Sequence, residues 1–379
     1  MPQTLRNDRI LFYTVIIMLS AGLIMVYSAS SVMAEQKFGS PWHFLLQQGV
    51  AAVLAVACMM GLKKLSYRKL QSPGVAFAAI GCVLILLIVV YFVDSAHHRW
   101  LRLPGMGLQP SELAKPALVI FLAYFVTWRA SAINTSYTLR PAGLAVGLVL
   151  LAVVVADLGT AVVLGITAAT VFVVAGLNWR YFAFVAALGA LGLVFFVASK
   201  PYRLARVIGY IDPEYTLIGR FDPDERLKAY MQKSLTSRDT SYQVGQSNIA
   251  VGAGGILGQG LMQGRQKLLY LPEAHTDFIY AVASEELGML GSVGLLACYL
   301  IIFWRGLRAS VFAPDEFGRY LALGITTCIV VQGLMNISVV LGMMPTKGIP
   351  LPLISAGGSS LVSTMASLGI LMNVSEHAG

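Results

Sequence analysis

Charged side chains are scarce in this sequence. Only 12% of the 379 residues are Asp, Glu, Lys or Arg, whereas a typical soluble domain has about 25%. By contrast, 57% of the residues are hydrophobic and the mean hydropathy is +0.74. Such a chain has too few polar side chains to cover a water-facing surface. The composition therefore excludes an ordinary soluble enzyme and predicts an integral membrane protein.

Motifs for metals and organic cofactors are also missing. The four cysteines form no C-x-x-C pair, and the five histidines are scattered or adjacent rather than spaced as zinc ligands. The glycine-rich stretch from Gly252 to Gly264 contains neither GxGxxG nor GxxxxGK. We therefore expect no zinc or redox centre, no nucleotide-binding loop and no organic cofactor.

Ten apolar runs are long enough to cross a bilayer, for which a helix needs about 20 residues. Because lipid offers no hydrogen bonds to an open backbone, and because the runs lack the alternation of barrel strands, we expect helices. A break at Asp157 and Gly159, interpreted as a tight turn, separates the fifth run from the sixth. The predicted fold is all-α, a polytopic bundle of about ten transmembrane helices near residues 10–30, 44–62, 73–93, 111–128, 141–156, 158–176, 181–199, 277–304, 318–343 and 350–374.

Lysines and arginines in the short loops predict the orientation, because they concentrate on the cytoplasmic side. Both termini are then cytoplasmic, and residues 200–276 form a large extracytoplasmic loop between spans seven and eight of a single domain, 1–379. The first span has no convincing cleavage site, so we interpret it as a retained anchor. The basic residues predicted to be cytoplasmic are Arg6, Arg9, Lys63, Lys64, Arg68, Lys69, Arg129, Arg140, Arg180, Arg305, Arg308 and Arg319, whereas Lys37, Arg99, Arg102 and Lys347 lie outside.

Four polar segments reach the predicted outer face, and the first is "HHRWLRLPGMGLQPSELAKP", residues 97–116. Arg99, Arg102 and Lys115 could hold an anionic ligand such as phosphate at the start of a helix. The alternative is a local ion pair between Glu112 and Lys115, which are one helical turn apart.

Two further segments place polar groups at membrane depth. Asp157 of "DLGTA" lies at the membrane boundary, where it is either a functional carboxylate or a water-exposed turn residue. The segment "PTKGIPLPLISAGGSSL", residues 345–361, contains Lys347 and Ser355. Its prolines and glycines predict irregular backbone surrounded by protein or a watery cavity, either as part of a site or as a packing joint.

The remaining segment follows the glycine-rich stretch and contains Lys267, His275 and Asp277. Asp277, Ser284 and Glu285 would share one face of a helix that begins near residue 277. We therefore expect a polar stripe that descends from the mouth of a cavity.

This combination of carboxylates and cations beside lipid suits a substrate with a diphosphate head and a lipid tail. Transfer of a sugar from such a donor needs a base for the acceptor hydroxyl, positive charge for the leaving diphosphate, and exclusion of water. Asp277 could be the base, since partial burial raises the basicity of a carboxylate. Basic residues or a divalent ion could supply the positive charge.

The blocks "RWLRLPGMGLQPSELAK", "DLGTA", "LPEAHTDFIYAVASEELGMLG" and "PTKGIPLPLISAGGSSL" resemble the signature blocks of the SEDS family of bacterial envelope proteins, the RodA and FtsW group. The resemblance covers essentially the whole chain and is closer to the cell-division branch than to the elongation branch. One departure is Ala356, which stands where the family usually has tyrosine.

The resemblance implies a peptidoglycan glycosyltransferase of the bacterial cytoplasmic membrane that polymerises lipid II on the outer face, with Asp277 as the catalytic base. It also implies a requirement for Mg²⁺ or Mn²⁺. The implied partners are a class B penicillin-binding protein and other divisome or elongasome membrane proteins, with no nucleic acid. The predicted substrate-binding residues are Arg99, Arg102, Glu112, Lys115, Asp157, Lys267, His275, Lys347 and Ser355.

Two alternatives belong to other functional classes. A lipid II flippase would carry the head group across the membrane, although the conspicuous carboxylates lie mostly on the predicted outer half. A scaffold for division proteins would make Asp277 dispensable. Glycan formation from purified lipid II and transbilayer movement of labelled lipid II in vesicles would distinguish these alternatives from the polymerase.

Overall fold

The computed structural model describes residues 8–94, 98–103, 106–199, 201–212, 240–268, 270–345 and 348–378. Within them the chain forms twelve α-helices and one β-hairpin, and the prediction of an all-α polytopic bundle is confirmed. The helices are α1 Arg9–Phe38, α2 His43–Lys64, α3 Pro73–Val93, α4 Pro110–Trp128, α5 Ser136–Ala156, α6 Leu158–Val174, α7 Trp179–Ala198, α8 Pro201–Ile211, α9 Thr240–Gly254, α10 Ile279–Val311, α11 Glu316–Val340 and α12 Gly358–His377.

Ten of these helices coincide with the ten predicted spans, and eight of them have the length and hydropathy to cross a membrane. The exceptions are α6, which has only 17 residues, and α12. Serines such as Ser359, Ser363 and Ser367 lower the hydropathy of α12, but all three are buried. Because protein rather than lipid surrounds most of α12, it does not need a wholly apolar surface.

The centre of the bundle is formed by α11 and α12. The α11 helix contacts α4, α6, α10 and α12, while α12 packs along α2. The approach of α12 to α2 depends on Gly369, since a Cβ there would collide with the backbone of Met59. At the periphery, no residue of α7 is buried, so its apolar side chains are available to lipid.

Ion pairs join the helix ends at the predicted cytoplasmic face. Asp8 caps α1 and accepts hydrogen bonds from Arg305 at 2.9 Å and from Ser375 at 2.9 Å. Twenty residues of α1 separate Asp8 from Ser28, which is about 30 Å of helix and matches the hydrocarbon thickness of a bilayer. Ser28 therefore lies about one bilayer thickness from Asp8 along α1.

At the level of Ser28, Gly288 interrupts α10, and the glycine-rich loop between α9 and α10 forms hydrogen bonds with the interrupted turn. Gly288 has φ 67°, a conformation that favours glycine, and interrupts the helix. The amides of Gln259 and Gly260 donate to the carbonyls of Glu285 and Glu286 at 2.9 and 3.0 Å. A Cβ on Gly288 would collide with the backbone of the loop. The glycines thus allow two backbones to pair where a membrane-buried carbonyl would otherwise lack a donor.

The prediction of a polar stripe on α10 that includes Asp277 is wrong. The helix begins at Ile279, so Asp277 lies in the preceding loop rather than on the face of Glu285. The Glu285 carboxylate instead accepts backbone hydrogen bonds from Arg265 at 2.8 Å and Gln266 at 3.2 Å. Its function is to hold the loop, because a buried carboxylate is stable only with such donors.

The predicted 200–276 loop contains α8, α9 and the glycine-rich loop in its described parts. The segment "PDERLKAYMQKSL", residues 223–235, whose pattern suggests a short amphipathic helix, lies outside the described residues. The single-domain assignment and the loop's extracytoplasmic location stay predictions.

Candidate active site

Asp277 is held where three irregular segments meet at one end of the bundle. The Asn336 side-chain amide of α11 donates to the carbonyl of Asp277 at 2.8 Å and to that of Ile349 at 2.7 Å. It thereby joins the segment before α10 to the segment before α12. A Cβ on Gly348 would lie 2.7 Å from Oδ2 of Asp277. A glycine at position 348 is therefore needed for the chain to pass this close to the carboxylate.

The Asp277 carboxyl is partly buried and receives no hydrogen bond from the described residues. Burial raises its pKa to about 7, an effect that the charge of Arg99 opposes and those of Glu273 and Asp157 reinforce. The positive charge of Arg206 in α8 is also close enough to lower this pKa. A pKa near neutral pH suits a general base.

Arg99 is a cation held beside Asp277 by backbone and side-chain contacts. Asp94 accepts hydrogen bonds from the backbone amides of Arg99 and Trp100 at 3.1 and 3.2 Å, which fixes the start of the segment. The guanidinium Nη2 lies 3.5 Å from Oδ2 of Asp157 and donates to the carbonyl of Gly348 at 3.3 Å. Among the described residues the buried Nε has no hydrogen-bond partner. This arrangement leaves the guanidinium with capacity for an anionic ligand.

Asp157 supports this site through its contact with Arg99. Its carboxylate caps α6 through the amides of Gly159 and Thr160 at 2.9 and 3.3 Å, and it also accepts a bond from the Thr160 hydroxyl at 2.8 Å. With Arg99 as a fourth partner, the carboxylate is fully occupied. The tight turn predicted at Asp157 is present as a single residue between α5 and α6. The geometry favours a role in orienting Arg99 over direct contact with substrate.

Glu112 and Lys115 form a buried ion pair of 2.6 Å one turn apart in α4, as the local alternative expected. Nζ of Lys115 also donates to Gln332 at 2.6 Å, and Gln332 donates to the carbonyl of Pro350 at 2.8 Å. The pair thus contacts the segment before α12 through Gln332. Only a cavity of about 10 Å³ remains beside Lys115.

Lys267 lies in a second buried cluster. Its Nζ is 2.6 Å from Oε1 of Glu286 and 2.9 Å from the hydroxyl of Ser28, which itself donates to Glu286 at 2.6 Å. These contacts hold the glycine-rich loop against α1 and α10. The structure places Lys267 with Glu286 and Ser28, not with the residues around Asp277.

Ser355 and His275 support the segments on either side of Asp277. The Ser355 hydroxyl donates to the carbonyl of Thr276 at 2.6 Å and accepts from the amide of Leu351 at 2.8 Å. The amide of Ala356 donates to the carbonyl of His275 at 3.0 Å. The predicted irregular backbone before α12 is therefore present and hydrogen bonded to protein.

A half-open cavity of about 760 Å³ lies beside these residues. The His275 ring contacts Phe44, with 4.8 Å between ring centroids, and burial lowers the pKa of His275. Ala356, the departure from the family pattern, also lines the cavity. The full lining is His43, Phe44, Leu46, Gln47, Gln48, Val50, Ala51, Trp100, Gly107, His275, Thr276, Ala356, Gly357 and Gly358.

Two predicted residues cannot be placed. Arg102 lies in the first strand of the hairpin, Leu101–Leu103 paired with Met106–Leu108, but its side chain is outside the described part. Lys347 is outside the described residues. Conversely, sequence reasoning missed Asn336 and Arg206. An asparagine within the apolar run 318–343 was a signal for Asn336, because polar residues at membrane depth are expensive.

The described residues contain no group of three or more His, Cys, Asp or Glu side chains arranged to hold a metal ion. Asp157 is occupied by Arg99 and by its own helix cap, while Asp277 keeps free acceptor capacity. The site therefore fits a Mg²⁺-like ion only if substrate oxygens supply most of the ligands, which is common for this ion.

Comparison with known proteins identifies the family. The sequence model of the cell cycle proteins FtsW, RodA and SpoVE matches residues 8–379. A protein of Geobacter metallireducens named "Probable peptidoglycan glycosyltransferase FtsW" is 39% identical, with 98% of this chain and 95% of that protein covered. Stage V sporulation protein E of Bacillus subtilis is 35% identical, with 98% and 97% covered.

Solved structures agree over the full length. A chain from a peptidoglycan synthase complex, described as showing structural coordination of polymerization and crosslinking, has a TM-score of 0.73 and 28% identity, with 99% of each chain covered. The rod shape determining protein RodA of Thermus thermophilus has a TM-score of 0.69 and 26% identity, with 100% of this chain and 99% of that chain covered. The resemblance deduced from the sequence is confirmed: this multi-pass membrane protein belongs to the FtsW, RodA and SpoVE family.

Proposed function

We propose that the protein is a peptidoglycan glycosyltransferase that polymerises lipid II on the outer face of the bacterial cytoplasmic membrane. The observation that carries this proposal is the partly buried carboxyl of Asp277, whose pKa is about 7 beside the guanidinium of Arg99. A base and a cation at one site are the two charged groups that sugar transfer from a lipid diphosphate requires. The names of the relatives point to the same activity.

In the proposed reaction, the Asp277 carboxylate takes the proton of the acceptor sugar's 4-hydroxyl as that oxygen attacks C1 of the donor sugar. The bond between C1 and the diphosphate oxygen breaks, and undecaprenyl diphosphate leaves with the bonding electrons. Arg99 stabilises the negative charge that develops on the leaving group, because a preorganised cation in a poorly solvated site interacts strongly with it. Asp157 and Gly348 hold the guanidinium in place.

A divalent cation, Mg²⁺ or Mn²⁺, is part of the proposal. Oxygens of the substrate diphosphate would supply most of its ligands beside Asp277, and its charge would assist departure of the diphosphate. Arg99 then supports the same charge from the protein side.

We further propose a class B penicillin-binding protein as partner. The chain's similarity to a component of a peptidoglycan synthase complex supports this assignment.

Both termini would be cytoplasmic, since Asp8 and Arg305 pair at the end of the bundle where the basic loops concentrate. Asp277 would then face the opposite side, and other divisome or elongasome membrane proteins would bind there or in the membrane.

The described geometry favours polymerisation over transport. Below the site, Glu112, Lys115 and Gln332 fill the interior and leave a cavity of about 10 Å³. In this conformation the described residues leave no room for a saccharide head group beside Lys115. Purified protein with its class B partner should form glycan strands from lipid II, whereas transbilayer movement of labelled lipid II in vesicles without any polymer would overturn the proposal.

A further inference from the structure

The turn between α4 and α5 lies beside the turn between α6 and α7. The Asn134 side chain joins them, because its amide donates to the carbonyl of Gly176 at 3.0 Å and its oxygen accepts from the amide of Asn178 at 2.6 Å. The α5 helix has 21 residues, which is about 30 Å of helix, and is followed by Asp157. The two turns are therefore about one bilayer thickness from the candidate active site, on the proposed cytoplasmic side.

This end of α4 to α7 carries positive charge only. Arg129 directly follows α4, Arg140 lies in α5 and Arg180 lies in α7. No Asp or Glu occurs at positions 113–156 or 158–211, and none of the three arginines forms an ion pair with a described residue. Elsewhere on this face several basic residues do have carboxylate partners, namely Arg305 with Asp8, Lys63 with Glu376 and Arg68 with Asp315. The three arginines thus keep their charge for an external anion.

Two aromatic rings hold the guanidinium of Arg129. Its Cζ lies 4.1 Å from the ring centroid of Trp128 and 4.3 Å from that of Tyr137, which are favourable cation–π distances. In the part of the chain that the structure describes, its buried Nε has no hydrogen-bond partner. A guanidinium has five N–H donors, so these ring contacts position the group and leave donors for the oxygens of a phosphate.

An exposed apolar strip runs from these rings along α5. Leu144, Leu148 and Leu151 follow Tyr137 at spacings of seven, four and three residues, so the four side chains share one face of the helix. All four are exposed, Tyr137 by 68%. Trp and Tyr prefer the boundary between lipid head groups and acyl chains. A molecule with a phosphate at Arg129 and hydrocarbon chains along α5 therefore fits this surface better than a free phosphate or an acidic protein.

We propose that the two turns, 129–135 and 175–178, form a binding site for an anionic phospholipid of the adjoining leaflet. Its phosphate contacts Arg129, the remainder of its head group lies near Arg140 and Arg180, and its acyl chains lie along α5. The excess positive charge selects an anionic over a zwitterionic head group. The site is distinct from the candidate active site, and a bound lipid would hold together the ends of α4, α5, α6 and α7.

Native mass spectrometry of the detergent-solubilised protein, titrated with phosphatidylglycerol or with zwitterionic phosphatidylcholine, measures this binding. The wild type should bind phosphatidylglycerol more tightly. Arg129→Gln should weaken phosphatidylglycerol binding about fivefold, the factor that corresponds to about 1 kcal/mol for one arginine at an anionic lipid surface, and should leave phosphatidylcholine binding unchanged. Phosphatidylglycerol should also raise the Tm of the wild type more than that of Arg129→Gln, because a ligand of the folded state stabilises it.

The matched control is Arg308→Gln. Arg308 is exposed on the same face, lies 5.9 Å from a single ring, that of Phe312, and forms no ion pair with the described residues. Its loss should leave phosphatidylglycerol binding unchanged. Equal weakening in Arg308→Gln and Arg129→Gln would show that the lipid responds only to overall charge, and would overturn the inference.

Arg140→Gln provides a second variant in case Arg129→Gln does not fold. Arg140 is exposed and lies one helical turn from Tyr137, so its loss should weaken phosphatidylglycerol binding without disturbing the packing. Unchanged binding in this variant and in a folded Arg129→Gln protein would refute the site. Inorganic phosphate that displaces phosphatidylglycerol at equal concentration would show a site for free phosphate and overturn the lipid assignment. None of these readouts uses glycan synthesis, so they remain decisive if the proposed function fails.

Discussion

Neutralising Arg99 should move the pH dependence of polymerisation to higher pH. Oδ2 of Asp277 and Nη1 of Arg99 lie 2.7 and 3.7 Å from the point where a Cβ on Gly348 would be, so the two atoms are at most about 6.4 Å apart. At an effective dielectric constant of about 20, charges at this distance attract by about 2.6 kcal/mol. The Arg99 side chain is 28% exposed, and solvent screening reduces this to a pKa change of about one unit.

The direction of this pH shift follows from the protonation state in which Asp277 acts as the base. Activity requires the carboxylate and therefore rises with pH through a pKa of about 7. In Arg99→Gln the carboxylate loses its nearby cation, so this pKa rises to about 8 and the ionised fraction at pH 7 falls from about one half to about one tenth. The maximal rate also falls, because the leaving diphosphate loses a stabilising charge.

The assay is kcat/KM for lipid II polymerisation between about pH 5.5 and 9.5, with Arg99→Lys as the matched control. Lysine keeps the charge, so its acid limb should stay near pH 7 even if the maximal rate falls. An Arg99→Gln profile with a lower plateau and an unshifted limb would show that Arg99 does not control the ionisation of the base, and would refute this reasoning.

Three further outcomes are expected. Lys267→Met should lower the free energy of unfolding by about 3–5 kcal/mol, since it leaves Glu286 buried without its cation. Chemical denaturation in detergent measures this loss of stability. The double variant Lys267→Met, Glu286→Leu should recover part of it. Gly348→Ala should reduce kcat at least tenfold by pushing against the Asp277 carboxylate, with near-normal unfolding; unchanged kcat would contradict the close approach. Asn336→Leu should reduce kcat more than it changes KM, because two carbonyls beside the site lose their shared donor. A folded Asn336→Leu protein that is less stable but keeps a normal kcat would show that this bridge is only structural.

Hydropathy was sufficient to locate the ten predicted spans, because lipid imposes one simple requirement on each of them. It located α12 as well, although that helix is surrounded by protein, since its serines are outnumbered by apolar residues. The polar break at Asp157 was also visible, because a carboxylate that caps a helix start is conspicuous within an apolar run.

Pairings between distant segments were not predictable from the sequence. The contact of Lys267 with Glu286 and Ser28 joins three segments, and no periodic pattern relates them. The sequence showed only that the glycine-rich stretch lacks a nucleotide-binding motif. Its partner, the broken turn at Gly288, depends on tertiary structure. For the same reason, Asp157 was predicted beside substrate, whereas its carboxylate is occupied by a helix cap and Arg99.

The central claim is that Asp277 is the base of a glycan polymerase. The most direct measurement is glycan formation from purified lipid II by the wild-type protein and by Asp277→Asn, each with the class B partner, Mg²⁺ and Mn²⁺, and each checked for membrane insertion and thermal unfolding. Asparagine preserves the shape and cannot take a proton, so we predict long strands from the wild type and at least a hundredfold slower synthesis by the variant. Wild-type rates from a folded Asp277→Asn protein would contradict the account.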